Sequence, residues 1–463
     1  MSASGLELAL VAAALVTITI AAVHVRGIAR VFLIAQAAYW GLSYLARPAL
    51  LLWVQPRPQY ADNVADPRLA VLGYDHGLAV ILQPVAFGLW VYAAAVVACA
   101  AWGRRHPLGL HRRQDTATDP VPTLWTVYAV GLVGRIVTYV TGAAGSAGDL
   151  NSPNAILNFV AQLATVGALG LIIFLRPRRR AVTVAVIGAL LTVELLWTVA
   201  VESKTPVMSA ALAIGIRFAI LGWTRRRVVA ILAISSLAIV GFGWLQGIKQ
   251  TDQERSSALV ANANYPQLAQ PYLSLVRRFD LLEAATDSYY MNGRIWLTPT
   301  QVVQHSLLSL VPEQLSGADK LQSGSAWARE VRGASLDMTS VSVSLAEGNI
   351  NEGYVLGGFA GVAVGVLFTF VLLLLVVGAL QSRHIFFLSL GLAVSASPAL
   401  FERGILGSME VTGKGLQLAV AIWIIDMAVR EYRRPAESAA VAGLTRPGTA
   451  LSWPQRGKAD PWL

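Results

Sequence analysis

Long apolar stretches alternate with short polar breaks along most of this chain. About 20 mainly apolar residues are needed to cross a bilayer as a helix. The pattern therefore predicts about eleven transmembrane helices, near 5–25, 31–54, 77–102, 121–143, 153–175, 181–201, 206–222, 228–246, 353–380, 384–400 and 413–429. The expected fold class is all-α, a polytopic integral membrane protein. Composition agrees: 55% of the 463 residues are apolar and 13% are charged, with a mean hydropathy of +0.57. A soluble protein carries roughly 25% charged residues. These figures exclude a soluble enzyme and a secreted disulfide scaffold, and Cys99 is the single cysteine. A net charge of +10 would otherwise suggest nucleic acid, but in a membrane protein its placement decides its meaning.

Twenty of the 36 basic residues fall on alternate turns and in the tail. They include Arg104, Arg105, Arg112 and Arg113, the run Arg178, Arg179 and Arg180, and the run Arg225, Arg226 and Arg227. The short turns on the other side hold five: Arg57, Arg68, Lys204, Arg403 and Lys414. Cytoplasmic turns are the basic ones, so the reading is N-terminus out and C-terminus in. The first span has no basic flank before it and is read as a retained helix, not a signal peptide.

The division that follows is 1–246 with helices one to eight, an extracytoplasmic loop at 247–352, helices nine to eleven at 353–429, and a disordered cytoplasmic tail at 430–463. The loop contains two apolar-periodic segments, about 268–291 and 299–311, expected to lie as amphipathic helices on the membrane surface. The second opens with Thr298-Pro299, a cap followed by proline. Asn151-Ser152-Pro153 and Ser203-Lys204-Thr205-Pro206 read in the same way, with Ser or Thr capping and proline starting spans five and seven. Such helix ends offer free N–H groups to anions, and Lys204 stands beside one of them. Gly353, Gly357, Gly361 and Gly365 give small-xxx-small spacing, the mark of close helix packing.

Polar residues on the outer side gather at Glu202 to Pro206, at Arg277-Arg278-Phe279-Asp280 with Arg294, His305 and Lys320, at Glu347 to Tyr354, and at Glu402-Arg403 with Glu410 and Lys414. These supply cations for a diphosphate and carboxylates or a histidine for a general base, the pairing a sugar transfer from a lipid diphosphate needs. Each also has a plainer reading. Arg277 and Arg278 suit a solvated helix face, His305 a structural core histidine, Glu347 and Glu352 the dipole at the start of span nine, and Glu402-Arg403 a local ion pair. Arg135 and Glu194 share a depth within spans four and six and are read either as functional charges or as an ion pair joining those spans.

The stretch Ser344-Leu345-Ala346-Glu347-Gly348, Asn351-Glu352-Gly353-Tyr354 and Gly357-Gly358-Phe359-Ala360-Gly361 resembles a motif of Wzy-type O-antigen polymerases, the oligosaccharide repeat-unit polymerases. Ser203 to Pro206, the Arg277-Arg278 helix, Leu308 to Pro312 and Lys320 follow in a similar order, so the resemblance covers about 195–425. It implies a GT-C-like, inverting, metal-independent glycosyltransferase of the bacterial cytoplasmic (inner) membrane, with its active site facing outward and no cofactor. Its substrate would be undecaprenyl-diphosphate-linked oligosaccharide, polymerised into an extracellular polysaccharide. Membrane lipids and a chain-length regulator or flippase would be partners, and nucleic acid would not. The resemblance implies Glu347, Glu352, His305 and Arg277 as catalytic candidates, the acids and the histidine as bases and the arginine at the leaving group. Lys204, Arg278, Arg403, Tyr354 and Arg135 would bind substrate or diphosphate, with Lys204 standing where arginine is commoner. An O-antigen-ligase-like transferase and a lipid-linked-sugar flippase are the alternatives. A polyprenyl-phosphate mannosyltransferase would want paired acids early in the chain, where Asp62, Asp66 and Asp75 are not adjacent.

Overall fold

The computed structural model describes residues 2–58, 64–105, 119–142, 154–176, 179–201, 205–222, 224, 229, 262, 264–267, 269–277, 279, 281–312, 317, 320–338 and 344–444. Among these residues the chain is helical and contains no strand. Among the described residues, eight helices are long and apolar enough to cross a membrane. They are α1 (Ala3–His24), α2 (Ile28–Val54), α4 (Tyr74–Arg105), α5 (Val121–Val140), α6 (Ala155–Phe174), α7 (Arg180–Ala200), α13 (Asn349–Leu380) and α16 (Ile405–Leu444). Shorter α3 (Pro67–Leu72) and α8 (Thr205–Leu221) complete the first part, and the predicted span at 228–246 lies outside the described residues apart from Val229. Between the two parts lie α9 (Gln270–Val276), α10 (Leu281–Tyr290), α11 (Pro299–Leu310) and α12 (Ser323–Ala326), the last running into a π-turn at Trp327–Val331. Helices α14 (Ile385–Ser395) and α15 (Ala399–Glu402) separate α13 from α16.

Small residues set the closest packing. A Cβ on Gly131 of α5 would sit 2.0 Å from the Ala164 backbone N of α6, and one on Gly167 would sit 2.7 Å from Tyr128 N. The two helices therefore touch backbone to backbone, as small residues allow within a membrane. Helix α6 is capped by Asn154, whose Oδ1 accepts from the N–H groups of Ile156 and Leu157. The cap expected at Ser152 thus stands two residues later, and Asn154 occupies two of the N–H groups expected to be open to an anion. Thr298 does cap α11 as its sequence predicts, in a capping box with Gln301.

Three expectations change. The segment 268–291 is not one surface helix: it breaks after Val276 and resumes at Leu281, and α10 is threaded into the protein with Leu281, Leu282, Ala284, Ala285 and Asp287 buried. Its polar side is buried as well as its apolar side, because arginines elsewhere in the chain meet its acids. The outer turn placed at 401–412 is shorter, since α16 begins at Ile405, and Glu410 and Lys414 pair at 2.7 Å as successive turns of that helix. Helix also continues through Arg430 to Leu444, fifteen residues into the expected tail, where Ala436, Ala439, Ala440 and Ala442 are strong helix formers.

The glycine-rich segment folds on itself. Gly357 and Gly358 leave helical geometry inside α13, Gly358 with a φ of 59°, and the chain reverses there. Residues 349–356 form a short arm packed antiparallel on the start of the long arm, 359–380. A Cβ on Gly361 would lie 2.1 Å from Gly353 O, and one on Gly365 would lie 2.6 Å from Asn349 O. The spacing marks close packing, but the surface it packs against is its own returning arm. The long arm then runs beside α4, with Phe359 against Phe87 and Phe370 against Tyr92. Only glycine permits this approach, so Gly361→Ala is expected to destabilise the protein by about 3 kcal/mol or more. Gly378→Ala, with nothing near its Cβ position, should be neutral or better; thermal unfolding in detergent compares the two.

Candidate functional site

Helix α16 starts inside the protein, and its first N–H groups need acceptors. Glu352, on the short arm, supplies them: its carboxylate accepts from Leu406 N at 3.1 Å and from Ile405 N. Glu347, just before that arm, accepts from Ser323 Oγ at 3.2 Å and Gly404 N at 3.4 Å. Both glutamates are fully buried. Gly404 and Gly407 leave the room, for a Cβ on either would fall on Glu352 Oε2 or Glu347 Oε1. Two carboxylates therefore share the positive end of one helix.

Arg403 closes the group. Its Nη1 donates to Glu347 Oε2 at 3.0 Å and to Leu345 O at 3.2 Å. Its side chain is 24% exposed, whereas Glu347 has no exposure. Among the described residues Nε and Nη2 make no hydrogen bond within the protein, so part of the guanidinium fork faces outward. Burial pushes the Glu347 carboxyl above its ordinary range, against the pull of Arg403. Burial also works against the charge on Arg403, but Glu347, Glu402 and Glu410 outweigh it and hold the guanidinium above its usual value. The plainer reading of Glu402-Arg403, a local ion pair, gives way to a pair between Arg403 and Glu347.

Helix α2 holds this end of the molecule. Gln36 Nε2 donates to Leu400 O at 2.6 Å, Trp40 Nε1 to Phe401 O at 3.1 Å, and Tyr39 Oη to Glu402 Oε2 at 2.6 Å. Tyr92 Oη in turn donates to Gln36 Oε1. Gly348, at a φ of 68°, donates its N–H to Glu402 O. Asn351 donates to Tyr44 Oη and Leu281 O, which joins the short arm to both α2 and α10.

A second charged group stands beside it. Arg47, placed by a π-turn at Leu42–Ala46, donates to Glu283 at 2.7 Å and to Val64 O. Asp287, with no exposure, takes Arg68 at 2.7 Å, Arg332 at 3.0 Å and the Trp327 indole N–H at 3.0 Å. Arg68 also pairs with Asp66, and Arg332 with Glu283. Three arginines and three acids from α2, α3, α10 and the segment after α12 thus neutralise one another. Sequence reasoning missed this network. The one signal was Arg47 inside an apolar span, since a charge there calls for a partner, but Glu283 lies 236 positions away.

No family model, curated protein or solved structure matches this chain. The geometry is therefore the guide. It brings Glu347, Glu352 and Arg403 together, with Tyr354 on the same hairpin, edge-on to Phe359 at 5.8 Å. Arg277 sits at the end of α9 and donates to Asn262 Oδ1. His305 is on α11, which packs against α16 at Gly413, and its Nδ1 is buried without a hydrogen bond among the described residues. Arg135 makes a two-pronged pair with Glu194 at 2.7 and 3.0 Å, bonds Thr165, and lies over Trp197. That is the ion-pair form of the two readings, joining α5 to α7. Lys204 and Arg278 lie outside the described residues.

Asp287→Asn is expected to cost about 3 kcal/mol, because it leaves buried arginines short of a counter-charge. Lys414→Ala, at an exposed pair, should change stability by no more than about 0.5 kcal/mol; chemical unfolding of the solubilised protein separates them. Arg403→Ala removes the one cation that lowers the raised value of Glu347, so that value climbs further. A carboxyl whose folded value exceeds its unfolded one contributes stability that is full below the ordinary carboxylate range and is lost as pH rises through the folded value. Arg403→Ala should thus lose more thermal stability than wild type as pH is raised from the ordinary carboxylate range towards neutrality and beyond, and the double variant with Glu347→Gln should not.

Proposed function

We propose that this protein is a membrane glycosyltransferase that polymerises lipid-diphosphate-linked oligosaccharide repeat units, with undecaprenyl diphosphate as the carrier and the reaction on the outer face of a bacterial cytoplasmic membrane. What supports the reading is the resemblance of 344–361 to Wzy-type polymerases together with one observation: those residues meet Arg403 at the start of α16, where a partly exposed guanidinium fork stands over two buried carboxylates.

On this reading Arg403 and the helix dipole take the charge that develops on the departing diphosphate. Guanidinium is suited to the task because its fork matches phosphate oxygens in pairs. As Arg403 turns to the diphosphate, Glu347 loses part of its counter-charge in a buried setting and its affinity for a proton rises. It then accepts the proton of the attacking sugar hydroxyl while the anomeric bond to the diphosphate breaks. Glu352 stays on the α16 N–H groups and fixes the arm that carries the site. Attack opposite the leaving group inverts the anomeric centre, and no metal or cofactor enters the scheme.

The broken helix at Gly357–Gly358 favours a second reading, a lipid-linked-sugar flippase, since transporters place interrupted helices at their substrate sites. Analysis of lipid-linked saccharides in cells with and without the gene decides between them. Loss of long polymer with single repeat units left on the carrier at the outer face is expected for the polymerase. Units retained on the cytoplasmic face would overturn it in favour of the flippase, and full-length polymer lacking its final attachment would indicate a ligase-like transferase. Arg403→Ala should lower polymer formation by roughly 100-fold while the protein stays in the membrane.

A further inference from the structure

We infer that the groove between α5 and α16, at the end of the bundle away from Arg403, is a binding site for an anionic phospholipid. The groove has a volume of about 620 Å³ and is lined by Val121, Pro122, Trp125 and Thr126 on one side and by Ile425, Ala428, Val429, Tyr432 and Arg433 on the other. Positions 425, 428, 429, 432 and 433 recur at helical spacing, so one face of α16 forms the whole of its wall.

Its chemistry changes along its length. Ile425, Ala428 and Val429 offer only hydrocarbon, which suits an acyl chain. Trp125 and Tyr432, both exposed, come at the end where α5 begins, and aromatic side chains of this kind sit at headgroup level. Arg433 is the one charged residue in the lining. Asp426 is already bound by Thr123 Oγ1 and by Arg430, both at 2.7 Å, and Asp119 accepts the N–H of Val121. Arg433 has no ion pair among the described residues. Beside it α5 begins, with the Val121 N–H held by Asp119.

A groove with an apolar floor, an aromatic collar and one cation at the rim fits a lipid with two chains and a negatively charged headgroup. Basic pockets between helices on the cytoplasmic side are suited to such headgroups. The alternation of arginine clusters places this end of α5 and α16 on that side. The site is separate from the Arg403 group and does not depend on the reaction proposed for it.

The test is native mass spectrometry of the full chain released from micelles containing equal amounts of phosphatidylglycerol and phosphatidylcholine. One phosphatidylglycerol is expected to remain bound in preference to phosphatidylcholine. Arg433→Gln should reduce that preference about fivefold, the effect of one basic residue near a lipid surface. Val429→Trp, which fills the groove, should remove retention of either lipid, with an unchanged unfolding temperature showing that the bundle is intact. Equal retention of the two lipids by wild type would overturn the proposal, as would a preference that survives both substitutions.

Discussion

The start of α16 is a buried helix end, and the protein is arranged around satisfying it. Free N–H groups away from water cost several kcal/mol each unless an acceptor reaches them. Here the acceptors are two buried carboxyl groups, Glu347 and Glu352, which come into the interior along with the hydrogen bonds. One cation cannot be far away, and Arg403 is supplied by the residue next to the glycine that opens the helix. The short arm exists to deliver Glu352, the glycine pair exists to turn that arm, and α2 exists in part to hold the chain that leads into Arg403. Removing any one of these would leave a buried charge or a buried N–H group exposed to nothing.

The two charged groups solve the same problem in different ways. Around Asp287 the charges are matched within the protein and wrapped by Trp327, so the group behaves as a fastening between the loop helices and α2 and α3. Around Arg403 the matching is incomplete, with part of the cation turned outward. A fully satisfied network gives rigidity, and an incompletely satisfied one beside it gives a place for an external anion. The rigid group therefore holds the incompletely matched one in place.

Much of the helical outline is legible in the amino-acid order, since hydrocarbon imposes a length and a composition that short-range patterns report. The partners are not legible. Small-xxx-small spacing at Gly353, Gly357, Gly361 and Gly365 is the same whether the opposing surface is another helix or the returning arm, and only the adjacent pair Gly357-Gly358 hints at a reversal. Glu402 and Arg403 are neighbours in the chain, so a local ion pair is the plainer of their two readings, whereas Glu347 reaches Arg403 from 56 positions away. The apolar periodicity of 268–291 suggests a surface helix, and nothing close to it in the chain announces that Arg47, Arg68 and Arg332 meet Glu283 and Asp287. Single-chain order carries periodicity well and long-range charge matching poorly.

The Arg135–Glu194 pair also imposes an order on synthesis. Arg135 enters with α5, but its carboxylate partner lies 59 residues later. At about 5–20 residues per second, the ribosome leaves the arginine without Glu194 for roughly 3 to 12 seconds. Thr165 of α6 arrives halfway through that interval and already bonds Arg135 Nη2.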